Sequence, residues 1–195
     1  MASISLKYKS KQGNLTAPGD VDPGAMIPIA TTTVGSGGSG AITFSNIPQN
    51  YEHLQVRIIA RSTNTSYSEA YIYPYINGVT GSNYTQHGIY VDGGTVSAAG
   101  SINDAAVIQR FAASATTSGI FGVAIVDFLD YSNANKKPVM RSLGGVDRNG
   151  AGVLGFYSTM IQTAGPITQL DFNIFPTSFA QYSSIALYGI KRAGA

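Results

Sequence analysis

Leu54-Gln-Val-Arg-Ile-Ile-Ala-Arg61 decides the fold class. Leu54, Val56, Ile58 and Ala60 alternate with Gln55, Arg57, Ile59 and Arg61. A period of two sends the first four side chains to one face of an extended strand and the second four to the other. The stretch therefore reads as a strand with one buried face, and the same period recurs on both sides of it.

Upstream, Ile27-Pro-Ile-Ala-Thr-Thr-Thr-Val34 and Ala41-Ile-Thr-Phe-Ser-Asn46 flank Gly35-Ser-Gly-Gly-Ser-Gly40, a pattern that predicts a loose hairpin. Downstream, Ala70-Tyr-Ile-Tyr-Pro-Tyr-Ile76 runs into Asn77-Gly78, the strongest short hairpin signal, with a return strand expected from Asn83 to Val91. Pro74 marks the first of these two as an edge strand. Ile120 to Leu129 is apolar on both faces and predicts a central strand. Pro138 to Leu143, Val153 to Ile161, Ile167 to Phe175 and Ser184 to Lys191 complete the set, with clean alternation at Leu170, Phe172 and Ile174. In the Ala/Ser-rich stretch 95–118, Val107, Ile108 and Phe111 suggest one helical turn. Nine or ten short strands between Gly/Asn/Asp turns predict an all-β, jelly-roll-like antiparallel β-sandwich over residues 27–195.

Residues 1–26 read differently. Pro18 and Pro23, with Gly13, Gly19 and Gly24, forbid a long helix and interrupt any strand, so an extended N-terminal arm is expected. Ile4 and Leu6 precede Lys7, Lys9 and Lys11. Such an arm could dock on a neighbouring chain, adding an edge strand and setting its lysines against acidic partner residues. Alternatively, Ile4 and Leu6 fill a groove on their own sandwich.

The composition narrows the function. The chain contains no cysteine, which removes thiolate catalysis, cysteine zinc sites and a disulfide framework. Charged residues make up 11% of the sequence, against about 25% in an ordinary soluble domain. A surface with few ions loses little solvation when another protein covers it, so assembly is favoured over a solitary monomer. A net charge of +2 is too small for a nucleic-acid partner. No apolar run approaches the ~20 residues of a spanning helix. The N-terminus lacks the apolar core of a signal peptide, so synthesis in the cytoplasm of the producing cell is expected, without membrane insertion.

No pattern of catalytic or cofactor-binding residues emerges. Gly35-Ser-Gly-Gly-Ser-Gly40 fits G-x-G-x-x-G by its letters, but a strand pattern follows where a dinucleotide site needs a helix. Two histidines, His53 and His87, lie on strands, and no G-x-S-x-G elbow accompanies them. Asp127 and Asp130 are the best-placed pair for glycosidase chemistry; at a strand exit, a turn cap or a pairing with Lys136 or Lys137 is the simpler role. Asp20 and Asp22 begin like a calcium loop without its later ligands. Asp147-Arg-Asn-Gly150 is a turn signature. Tyr71, Tyr73 and Tyr75 share one strand face, and with Tyr84 and Tyr90 on the expected return strand they mark a protein interface or a glycan-stacking face.

The segment Ile29-Ala-Thr-Thr-Thr-Val-Gly-Ser-Gly-Gly-Ser-Gly-Ala-Ile-Thr-Phe-Ser-Asn-Ile-Pro48, then Tyr51, His53-Leu-Gln-Val-Arg57 and Ile59-Ala-Arg61, resembles virion proteins of tailed bacteriophages, of the tail-fibre-like β-sandwich group. So does the closing Ile185-Ala-Leu-Tyr-Gly-Ile-Lys191. The resemblance implies a non-enzymatic structural role in a virion, without catalytic residues or cofactors. It also implies self-association, with three copies as the expected number, and contact with other virion proteins and with a host-surface glycan. Location on the tail or as a head-surface decoration protein remains open on these residues, as does a carbohydrate-binding module.

Overall fold

The computed structural model describes residues 25–163 and 165–192, with the side chain of residue 103 excepted. The expected arm, with Ile4, Leu6, Lys7, Lys9 and Lys11, lies outside the described residues apart from its last two positions. Twelve strands follow in order: β1 (Met26–Thr33), β2 (Ala41–Phe44), β3 (His53–Ser62), β4 (Glu69–Ile76), β5 (Tyr84–Asp92), β6 (Thr95–Asp104), β7 (Arg110–Ala113), β8 (Gly122–Leu129), β9 (Val139–Asp147), β10 (Gly152–Ile161), β11 (Leu170–Phe175) and β12 (Ser184–Ile190). The fold is all-β, and no helix occurs among the described residues.

The pairings nest. β1 pairs β12, β2 pairs β11, β3 pairs β8 and β4 pairs β7, all antiparallel. The first four strands thus meet late strands in reverse order, as in a long hairpin rolled up on itself. This is the jelly-roll wrap. Sheet A carries β1-β12-β3-β8 and sheet B carries β2-β11-β4-β7. The two hairpins outside the wrap, β9–β10 and β5–β6, extend sheet A beyond β8 in the order β9-β10-β5-β6. At its C-terminal end β3 leaves sheet A to pair in parallel with β7, through Arg61 and Ser62, and this ties the two sheets together.

The core lies between the sheets. Leu54, Val56, Ile58 and Ala60 of β3 and Val126 and Phe128 of β8 meet Ile72 and Ile76 of β4, Phe111 of β7 and Leu170 and Phe172 of β11, all fully or almost fully buried. The alternation read from Leu54 to Ala60 is therefore the inward face.

Three local expectations need correction. The Asn77-Gly78 turn forms, with φ of 53° and 72° and a bridge between Ile76 and Val79. It does not return the chain beside β4: β5 crosses to sheet A and pairs β10 and β6. The Asn77 side chain explains why, because its Oδ1 accepts from the backbone N–H of Thr168 and Gln169, 2.8 and 3.0 Å away, and pins the turn to the β10–β11 loop instead. The glycine segment 35–40 likewise joins strands of different sheets rather than a hairpin. Residues 95–118 hold β6 and β7 in place of a helical turn: β5 pairs one side of β6, and the Ile108 N–H is taken by Ile72 O of β4 just before β7 begins.

Pro74 is not on an edge strand, yet its missing N–H is accommodated in the way an edge would allow. The Ile72 N–H bonds Gln109 O on the β7 side, whereas Asn77 N–H bonds Gln169 on the β11 side. Even-numbered N–H groups of β4 therefore face β7, which has ended by Pro74. At the next such position, Ile76, the N–H finds the Tyr84 hydroxyl at 3.2 Å.

Candidate functional site

The two outward sheet faces differ in chemistry. On sheet A, the registers align two rows of side chains across the strands. One row runs Ile125, Leu143, Phe156, Ile89 and Ala98; the other runs Val123, Gly145, Leu154, Val91 and Val96. Neither row contains a charge or a hydrogen-bonding side chain. Ile125 is 43% exposed, Leu143 51%, Phe156 45%, Ile89 59% and Val96 73%. With Ile59 at the β3 end of the second row the stripe crosses six strands, or roughly 24 Å at the spacing of a sheet, while the first row meets Arg57 there. An open, shallow depression of about 1110 Å³ lies over the stripe, lined among others by Leu143, Gly145 and Leu154. Polar groups flank it: Arg57, whose guanidinium lies over the Tyr188 ring, and the cross-strand pair Asp127 and Arg141, with Gln55 Nε2 donating to Asp127 Oδ1. β8 was expected to be central because both its faces are apolar. It is central, but Val123 and Ile125 have no cover among the described residues.

The outward face of sheet B is aromatic and polar. Tyr71, Tyr73 and Tyr75 stand in a row beside Asp171, Asn173 and Phe175 of β11. Tyr73 sits 6.5 Å from Tyr71 and 6.4 Å from Phe175, the latter edge to face. Burial, followed by the neighbouring Tyr71, raises the Tyr73 phenol above its ordinary value. Tyr71, Tyr73 and Tyr75 share one strand face, as their spacing predicts. Tyr84 does not join them but points into the core, where its hydroxyl donates to Val79 O at 2.7 Å while accepting from Ile76 N.

Tyr90 takes part in a different arrangement. A groove of about 270 Å³ opens where sheet A overhangs the edge of sheet B, lined by Tyr71, Tyr90, Tyr157, Gln86, Ser101, Asp104 and Arg110. The Arg110 guanidinium lies 5.8 Å from the Tyr71 ring centre and 5.1 Å from that of Tyr90. It also bridges Asp92 at 2.6 Å and Glu69 at 3.3 Å, and Glu69 is shared with Arg148 at 2.7 Å. This four-charge chain fastens the inserted β5–β6 hairpin to the start of β4. Gln86 is committed to Val107, accepting from its N–H and donating to its carbonyl.

His53 and His87 are far apart in the fold: His53 opens β3, whereas His87 is exposed on β5 beside Gly100. His53 Nδ1 accepts the Asp130 backbone N–H at 2.9 Å. Asp130 pairs with Lys136, as its sequence position suggested, and the lysine's hydrogen bond holds its carboxyl below the usual range. A general acid needs the opposite shift. Among the described residues no group of three His, Asp or Glu side chains could hold a metal ion. The sheet A stripe is not legible as a unit in the sequence, because its members come from six separate strands and only register lines them up.

No protein-family model matches the chain, and no curated protein does. Among solved structures, the chain is similar to a protein of unknown function from Shewanella oneidensis MR-1, with 12% identity, a TM-score of 0.23, and coverage of 88% of this chain and 79% of that one.

Proposed function

We propose that the protein is a non-enzymatic structural component of a tailed-phage virion, a tail-associated fibre or adhesin that assembles with copies of itself and with other virion proteins. The uncharged stripe on sheet A carries this reading. Covering a half-exposed Leu, Ile or Phe is worth roughly 1 kcal/mol, and the six such side chains in the stripe contribute several. An apolar patch of this extent marks an interaction surface. The occupant we assign is another copy of this chain: from β8 to β6 the stripe offers no charge for a partner of specific charge to read, and packing of like apolar faces about a shared axis needs none. The number three, and the virion itself as the location of a protein made in the host cytoplasm, come from the resemblance of residues 29–61 and 185–191. The jelly-roll wrap supports the same reading by analogy, since viral capsid and lectin domains use it.

Light scattering of the whole chain at micromolar concentration is expected to give three chain masses or a multiple of three. The double variant Leu143→Lys/Phe156→Lys is expected to lower that multiple while keeping the melting temperature within a few degrees. A wild-type monomer, or a double variant of unchanged mass, overturns the reading. Head decoration is the alternative placement, and counting copies per particle by mass spectrometry decides between the two.

Glycan contact is the second reading, favoured by the aromatic face at Tyr71, Tyr73 and Phe175. It opens onto a groove where the hydroxyls of Tyr71, Tyr90 and Tyr157 have no hydrogen-bond partner among the described residues. A glycan array in which Tyr73→Ala leaves the wild-type pattern unchanged removes this reading.

A further inference from the structure

Sheet edges are liabilities that proteins protect with short strands, prolines, bulges or charges. Two of the three open edges here are protected. β1 carries Pro28 and a register break between Pro28 and Ala30, and β2 has four residues; β7 is not open, since it pairs β3 as well as β4. The third, β6, has ten residues, Thr95-Val-Ser-Ala-Ala-Gly-Ser-Ile-Asn-Asp104, and its one charge and its one register break lie at the far end, beyond Ile102. Its only partner among the described strands is β5. A long edge without protection is a template for another strand.

The sequence of this edge identifies the partner. About Ala99 it is a chemical palindrome: Val96 mirrors Ile102, Ser97 mirrors Ser101, and Ala98 mirrors Gly100. Each mirrored pair is of one kind, β-branched, hydroxyl or small. A two-fold contact requires that residue i meet j′ and j meet i′, and an antiparallel pairing of this strand with its own copy satisfies that at every position from 96 to 102.

The backbone points the same way. Gly93 and Gly94 join β5 to β6 in a two-residue turn, Gly93 with a φ of 57° and Asp92 opposite Thr95. The Thr95 N–H then bonds the Asp92 carbonyl, as the last residue of a tight turn does. By alternation, residues 97, 99 and 101 also bond β5. The N–H and C=O groups of Val96, Ala98, Gly100 and Ile102 face outward, where a second copy would take up about eight hydrogen bonds. We propose that β6 pairs antiparallel with β6 of a second copy about a two-fold axis at Ala99, joining two copies of sheet A into one continuous sheet. This contact is separate from the stripe on the sheet A face.

At the axis Ala99 meets its own copy in a pair that exchanges no hydrogen bonds, with Cα atoms about 4.5 Å apart, inside the range a disulfide spans. The chain has no cysteine, so Ala99→Cys places a single thiol there. On mild oxidation of the full chain, Ala99→Cys is expected to give a disulfide-linked dimer on a non-reducing gel. Ser97→Cys, which would face Ser101 of the copy, is expected to cross-link several-fold less. Ala98→Pro removes an outward N–H that makes no bond to β5, a substitution an edge strand tolerates. It is expected to weaken the two-fold contact about tenfold or more, read by sedimentation of Leu143→Lys/Phe156→Lys so that the face contributes nothing. Ala99→Cys that stays monomeric under oxidation, or cross-links no better than Ser97→Cys, overturns the proposal, as does Ala98→Pro with undiminished association. If Ala98→Pro fails to fold, the cysteine pair alone decides.

Discussion

Arg61→Met tests how the two sheets are held at their crossing. Arg61 sits at the end of β3, is 7% exposed, and has no carboxylate partner among the described residues. Its Nη1 donates to Thr116 Oγ1 at 3.2 Å, Thr117 O at 2.9 Å and Ile120 O at 2.8 Å, and its Nη2 donates to Thr116 O at 2.9 Å. Burial lowers its pKa from the ordinary value, yet a guanidinium stays charged in proteins. The β7–β8 loop is thus wrapped around a buried cation by its own carbonyls. Methionine keeps the aliphatic stem and deletes only the donors. Thr117 is exposed and its carbonyl recovers water, whereas Thr116 and Ile120 are half-buried. Two poorly solvated acceptors at ~1–2 kcal/mol each, partly offset by no longer burying a charge, give a net loss of about 2–3 kcal/mol. For a chain of this size that corresponds to about 4–12 °C in melting temperature. Urea unfolding reads the midpoint at constant slope, and hydrogen exchange should quicken over residues 114–120. A midpoint unmoved to within about 0.5 kcal/mol at constant slope would refute the assignment, since the loop would then be closed by something else.

Other substitutions probe other links. Tyr84→Phe strips the hydroxyl that serves Ile76 N and Val79 O in place of a strand, and should cost about 1–3 kcal/mol in the same urea assay. Gly144→Ala would put a Cβ 2.3 Å from Val123 O and 2.7 Å from Ala124 Cβ; an overpacking loss of about 1–3 kcal/mol is expected, and a neutral result would show that β8 and β9 can part there. Asp130 has a folded pKa lowered chiefly by the hydrogen bond from Lys136. Its contribution is present above the unfolded carboxyl value and lost as pH falls through the folded one. The stability gap between wild type and Asp130→Asn should therefore close on acidification, and melting curves showing a gap independent of pH would contradict this.

The sequence carried the local chemistry well and the partnering poorly. Strand content and inward faces follow from alternation alone, as at Leu54 to Ala60 and Leu170 to Ile174. Turn residues were equally readable: Asn77-Gly78 and Asp147 to Gly150 both reverse the chain, Asn149 and Gly150 with positive φ. What a turn does not specify is which strand the chain meets afterwards. Asn77 shows the reason, because the bonds that decide the outcome go to Thr168 and Gln169, some ninety residues away. β6 was missed for a related reason. Its Ala, Ser and Gly residues have no strand preference of their own, and the ladder to β5 overrides composition. Of the tyrosines, Tyr71, Tyr73 and Tyr75 were grouped correctly because they share one strand. Tyr84 and Tyr90 were misgrouped because the hairpin assumed between them and the first three does not exist.

The nesting of the pairs has a consequence for how the chain is made. β12 lies between β1 and β3 in sheet A, so two early strands wait for one of the last. At ~5–20 residues per second on the ribosome, the interval from β1 to β12 is on the order of 10 s. Until Ser184 to Ile190 emerge, β1 and β3 face each other across a vacant slot, and β3 offers Leu54, Val56 and Ile58 to any passing strand. Nearly every stabilising contact closes between distant segments, the kind of topology that folds slowly. The wrap that ties the finished sandwich together therefore leaves its nascent form with an open core until the last strand arrives.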